Sequence, residues 1–108
     1  MPERVQLKRA KGWKMPANTV KVDRTTKWGN PFKVQPGRAA EYAVTLFARM
    51  LQGYAAVADD PSVDEQIAYR EMVKRDAHEL RGKNLACWCR PGQPCHADVL
   101  LQINHTAA

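Results

Sequence analysis

The chain has 108 residues, enough for one domain with a modest core, and its 44% hydrophobic and 26% charged content is that of an ordinary soluble fold. No apolar run reaches the roughly eighteen residues that span a bilayer, and Met1-Pro2-Glu3-Arg4-Val5 lacks the apolar stretch of a secretory signal, so the expectation is a cytoplasmic protein with no membrane segment. The formal net charge of +6 is uneven: ten Lys or Arg face two acids up to Arg38, and seven face nine thereafter. A basic segment carrying Trp13 and Trp28 suits a phosphate-bearing partner, a nucleotide or nucleic acid, with charge for phosphates and aromatic faces for bases. A solvated basic face around one core tryptophan is the plainer alternative.

Val5-Gln6-Leu7-Lys8 alternates and predicts a first strand, and Lys11 to Asn18 reads as loop. Thr19 to Asp23 is β-branched with a polar end and predicts a second strand. A structured turn follows from Arg24 to Phe32; Gly29 and Asn30 tolerate positive φ, and Pro31 biases Asn30 away from helix. Phe32 to Val34 is a short extended piece closed by Pro36-Gly37. Ala39 to Gln52 is the clearest helix, with Ala43, Phe47, Met50, Leu51 and Tyr54 at helical spacing and Gly53 as its stop. Ser62 and Glu65 form a capping-box pattern that opens a helix from Val63 to about Leu80, its apolar side drawn from Val63, Ile67, Val73, Ala77 and Leu80. Gly82 ends it. Lys83 to Cys89 predicts a strand that is apolar on both faces, the middle of a covered sheet. Pro94 or Cys95 opens a last helix, packed through Val99, Leu100 and Ile103 and frayed from His105. The sum is a single small α/β domain over residues 1–108, with a short, mostly parallel or mixed sheet and helices packed on it.

All three cysteines lie in Cys87-Trp88-Cys89-Arg90-Pro91-Gly92-Gln93-Pro94-Cys95-His96. In an unbroken strand Cys87 and Cys89 share a face, with Trp88 opposite, and their Cα atoms stand about 6.5–7 Å apart. Three readings stay open. Cys87, Cys89, Cys95 and His96 supply a Cys3His set, right for zinc, with an iron–sulfur cluster as the lesser metal option. Alternatively Cys95, at a helix N-terminus that lowers a thiol pKa, reacts with His96 or His78 as base, while Asp98 orients a neighbour and the Arg90-to-Pro94 loop takes an anion. In the third, the cysteines are plain core residues and there is no cofactor.

In the central turn, Asp23 and Arg24 end a strand where ligands are often held, and Arg24 can fork two hydrogen bonds to a phosphate. Asn30 either reads a base edge or holds the turn. Trp28 either stacks a base or plugs the core.

Two blocks resemble a known family. Val22-Asp23-Arg24-Thr25-Thr26-Lys27-Trp28-Gly29-Asn30-Pro31-Phe32 is similar to its V-D-R-x-[ST]-x-W-G-N-P-[FY] signature. Leu80 to Cys89, running on through Pro94-Cys95-His96-Ala97-Asp98-Val99-Leu100, is similar to its L-x-G-K-x-L-x-C-W-C and C-H-[AG]-D-x-L signature, with Ala97 where members often have Gly. This is domain-of-unknown-function family 4326, of bacteria and phages. The resemblance implies one site built from both blocks, but no activity. The resulting expectation is a domain that binds a phosphorylated, nucleotide-like ligand or nucleic-acid end. Arg24, Trp28, Asn30, Arg90 and Asp98 would hold it beside a Cys/His centre. If the protein is an enzyme, hydrolysis or group transfer follows, with Asp23, Cys95 and His96 in the chemistry. A non-catalytic, zinc-stapled module for nucleic acid or protein is the alternative, and oligomeric state is left open.

Overall fold

The computed structural model describes residues 2–106 except Gln35, Gly37, Asp59 and Pro91, with side chains as far as Ile103. Gly37 of the expected Pro36-Gly37 closure and the Pro91 part of the anion loop thus lie outside the described residues. So do the last two residues of the predicted frayed tail; the helical backbone itself continues through His105 to Thr106.

Strands β1 (Arg4–Gln6), β2 (Thr19–Lys21) and β3 (Asn84–Cys87) form one parallel sheet in the order β1-β3-β2. Arg4 pairs with Leu85 and Gln6 with Cys87 on one side; Thr19 pairs with Asn84 and Lys21 with Ala86 on the other. The last strand therefore occupies the centre, which is why Leu85, Ala86 and Cys87 are all buried and the segment reads as apolar throughout. The expected mostly parallel sheet is entirely parallel among the described residues. Each strand is shorter than its sequence pattern. β3 stops at Cys87, two residues before the predicted end, and Trp88 sits in a bend. The last bonds of the ladder are Leu7 N–H to Cys87 O at 2.7 Å and Val22 N–H to Ala86 O at 2.8 Å.

Helices α1 (Ala40–Gln52), α2 (Val63–Asp76) and α3 (His96–Thr106) complete the fold. In α1, Ala43, Phe47 and Met50 are buried, and Gly53 closes the helix at φ 114°, a conformation that favours glycine. Tyr54 lies past that cap and is exposed, not part of the apolar stripe. The capping box of α2 is formed in both directions between Ser62 and Glu65. α2 ends at Asp76, and a 3₁₀ turn (Ala77–Leu80) finishes the segment. Its buried face also differs from the expected one. Val63 and Ile67 face outward, while Gln66 and Val73 are buried. Gln66 turns inward because its amide is fully used: it accepts from Ala56 N–H and donates to Ala56 O at 2.8 Å and to Pro61 O at 3.1 Å. A buried amide so satisfied ties the α1–α2 connection to α2.

The core joins Val22, Trp28, Phe32, Phe47, Met50, Leu80, Leu85 and Leu100, and also takes in Cys87 and Cys95. Each large side chain among these contributes about 1.5–3 kcal/mol by leaving water.

Candidate functional site

Because all three strands run the same way, their carboxyl ends open on one edge of the sheet, the usual place for a ligand in an open parallel sheet. β2 delivers Asp23 and Arg24 there, β3 delivers Cys87 to Cys89, and the start of α3 delivers Cys95 and His96. A cavity of about 290 Å³ occupies that edge. Its walls include Asp23, Arg24, Asn30, Cys87, Trp88, Cys89, Cys95 and His96, so the two sequence blocks share one space.

The three cysteine sulfurs lie within 4.8 Å of one another, and none of the cysteines is in a disulfide. Cys87 Sγ is 3.0 Å from Cys95 Sγ. Three thiolates on one tetrahedral zinc at ~2.3 Å stand ~3.8 Å apart, so these sulfurs can hold such a metal with small adjustments. The end of β3 makes this possible. The strand alternation that would keep Cys87 and Cys89 about 7 Å apart at Cα breaks at Trp88. Residues 87, 88 and 89 all line the cavity.

Among the thiols, Cys87 and Cys95 share a hydrogen bond, and that contact pulls the Cys87 thiol below its ordinary value despite burial. A backbone N–H from Cys89 helps. The same contact, together with burial, pushes Cys95 up to about 12, and burial pushes Cys89 up to about 11. The lowered Cys95 value expected from a helix N-terminus is therefore reversed. The Ala97 N–H does act on the sulfur in the expected direction, but the Cys87 contact and burial outweigh it.

His96 stands outside the sulfur trio. Its Nε2 lies 2.7 Å from Val22 O. A carbonyl only accepts, so Nε2 carries the proton, and the Nδ1 lone pair faces Cys95 Sγ at 3.9 Å. Phe47 packs edge-on against the ring at 5.4 Å between centroids.

Burial would raise the Asp23 carboxyl, but stronger opposing effects hold it below its ordinary value. These are donation from Thr25 Oγ1 at 2.6 Å, Trp88 Nε1 at 2.9 Å and Thr25 N–H at 3.1 Å, with Lys21 3.7 Å away. A carboxylate so occupied is a poor proton acceptor near neutrality and a good tether between the two blocks. Asn30 is likewise engaged, accepting from Phe32 N–H at 2.9 Å and donating to Ala43 O at 3.3 Å. Arg24 is exposed on the cavity wall and makes no ion pair or hydrogen bond with another described residue.

Trp28, expected either in the core or under a base, is 3% exposed within the core and does not line the cavity. Gly29 has a reason of its own. Its φ is not positive, so its tolerance of that conformation is not what the turn uses; a Cβ there would stand 2.7 Å from Arg24 Cα and 2.9 Å from Asp23 O. The turn closes on itself too tightly for a side chain.

Arg90 and Asp98 do not line the cavity; both serve Arg4, which the sequence did not single out. The Arg4 guanidinium donates to Arg90 O at 3.0 Å, Gln93 O at 2.8 Å and Asp98 Oδ2 at 2.9 Å, fastening the Cys89–Cys95 loop to β1. No sequence signal marks Arg4, because its partners lie 86 to 94 positions away.

No helix among the described residues is long and apolar enough to cross a membrane. No solved structure matches the chain. A protein of Enterobacteria phage T4, described as an uncharacterized 12.4 kDa protein in the nrdA-td intergenic region, is 31% identical over 84 residues, 78% of this chain. The match spans 65% of that phage protein's length. The family model described as a domain of unknown function, DUF4326, matches residues 5–106, and the chain belongs to that family.

Proposed function

We propose that the domain binds a phosphorylated, nucleotide-like ligand in the cavity at the sheet edge, beside a zinc ion held by Cys87, Cys89 and Cys95. The observation that carries this reading is the shared wall: the sulfur trio and Arg24, whose guanidinium has no partner among the described residues, border the same 290 Å³ space. Three protein sulfurs leave a tetrahedral zinc one position short, as in catalytic sites. Arg24 supplies a planar cation suited to phosphate. Asp23 and Asn30 hold the turn that carries Arg24, and His96 fixes the start of α3 against β2. Hydrolysis or group transfer at the ligand's phosphate would be the reaction class for such a site, where a zinc held by Cys87, Cys89 and Cys95 would supply Lewis-acid chemistry.

The test combines elemental analysis of untagged protein, thiol counting and calorimetric titration with nucleoside monophosphates. Near-stoichiometric zinc, thiols that react only after chelation, and nucleotide binding weakened about tenfold or more in Arg24→Ala are the expected results. Zinc-free protein with three slow thiols and no nucleotide binding would sink the proposal. A second reading, a zinc-stapled module that grips nucleic acid without turnover, draws on the exposed Lys8, Arg9, Lys11 and Lys14. It predicts binding to an oligonucleotide that falls steeply with salt.

A further inference from the structure

The cavity wall contains one feature that neither metal nor phosphate binding requires. Trp88 is a large aromatic that the fold leaves 42% exposed, although it sits between two half-buried or buried cysteines and next to a core strand. Its exposure is not slack. The indole N–H donates to the Asp23 carboxylate at 2.9 Å, and Asp23 is itself held by Thr25 through two bonds, so the ring's direction is fixed from its polar edge. The Arg9 guanidinium lies over the ring, 5.0 Å from its centroid. Trp88 is among the residues that line the cavity, and Arg9 is not. An aromatic residue at a pocket wall, with its edge tethered, a cation over its ring and much of its surface exposed, is arranged to receive another flat ring.

We infer that Trp88 is the stacking platform for the base of the ligand, which makes the ligand class a nucleobase-bearing phosphate rather than a sugar phosphate or an inorganic anion. This inference rests on the ligand reading above. With the base on Trp88, the phosphate end of the same molecule extends toward Arg24 and the sulfur trio on the other walls. Specificity for a base then resides at Trp88 and affinity for phosphate at Arg24. The surface next to the ring is basic as well, through Arg9 and Lys21, which favours an anionic molecule at the mouth.

The experiment titrates zinc-supplemented full-length protein with adenosine and guanosine 5′-monophosphates and, separately, with ribose 5-phosphate. A nucleotide is expected to bind about tenfold or more tightly than the base-free sugar phosphate, in line with base–aromatic stacking. Trp88→Leu should remove that advantage; because it also loses the bond to Asp23, the quantity read is the ratio of nucleotide to ribose 5-phosphate affinity, which should fall to about one. Trp88→Phe loses the bond to Asp23 but keeps an aromatic face, so it should retain most of the nucleotide affinity while abolishing any ligand-dependent quenching of the Trp88 fluorescence. Should Trp88→Leu fail to fold, the Phe variant and the wild-type comparison of the two probes decide the matter alone. Equal binding of nucleotide and ribose 5-phosphate overturns the stacking role and leaves the phosphate pocket standing. Binding of neither probe overturns both.

Discussion

Asp23 accepts bonds from both halves of the site, Thr25 on its own turn and Trp88 at the end of β3. Asp23→Asn removes the charge behind those bonds and is expected to lower stability by about 1.5–3 kcal/mol in urea denaturation. The native carboxyl is held below its ordinary value, so its stabilising effect is present above the unfolded value of about 4 and is lost as pH falls through the lowered native one. The wild-type melting temperature should therefore drop more between pH 5 and pH 3 than that of Asp23→Asn; parallel curves would deny the carboxylate this role. Gly29 makes a sharper case. Gly29→Ala places a methyl 2.7 Å from backbone, which cannot yield as a flexible side chain does, and should cost about 1–3 kcal/mol by the same denaturation measurement. That a glycine stands in the turn was legible in the sequence, but its reason was not. Tolerance of positive φ is a property of one residue, whereas a close backbone approach exists only once the chain has folded.

At the scale of elements, the capping box of α2, the glycine stop of α1 and the buried character of β3 were readable, because each is set by residues within a few positions of one another. The buried face of α2 was not. Helical spacing of apolar residues pointed to Val63 and Ile67, while the fold buries Gln66, whose worth depends on backbone groups of another segment. Gln66→Leu is expected to destabilise the protein by about 1–3 kcal/mol despite the apolar replacement, since it strands buried backbone groups at Ala56 and Pro61. Arg4 illustrates the same limit. One side chain on β1 ties down the loop that separates Cys89 from Cys95. Arg4→Ala should leave the fold intact by circular dichroism and weaken zinc affinity about 10–100-fold in a chelator competition, the usual effect of losing a group that orients ligands from behind. Unchanged affinity would make Arg4 a purely structural brace.

For the whole molecule, the convergence of the two blocks follows from parallel strands alone. Once β1, β2 and β3 run the same way, residues 22–24 and 87–89 must emerge at one edge. The sequence carried that much through its paired motifs. It carried less of the detail, because the sulfur geometry depends on where β3 stops, and the last ladder bonds there come from Leu7 and Val22, the residues just past β1 and β2. The order β1-β3-β2 also bears on how the protein is made. Two outer strands formed early in synthesis have no partner until residue 84 is available, so neither can be held in a sheet while the nascent chain is shorter. Assembly waits for contacts between distant parts of the chain, a topology associated with slow folding. A stalled or prematurely released chain that ends before Asn84 would lack its central strand altogether, leaving Val20 and Val22 in search of a partner that the cell's chaperones, or another such fragment, would have to supply.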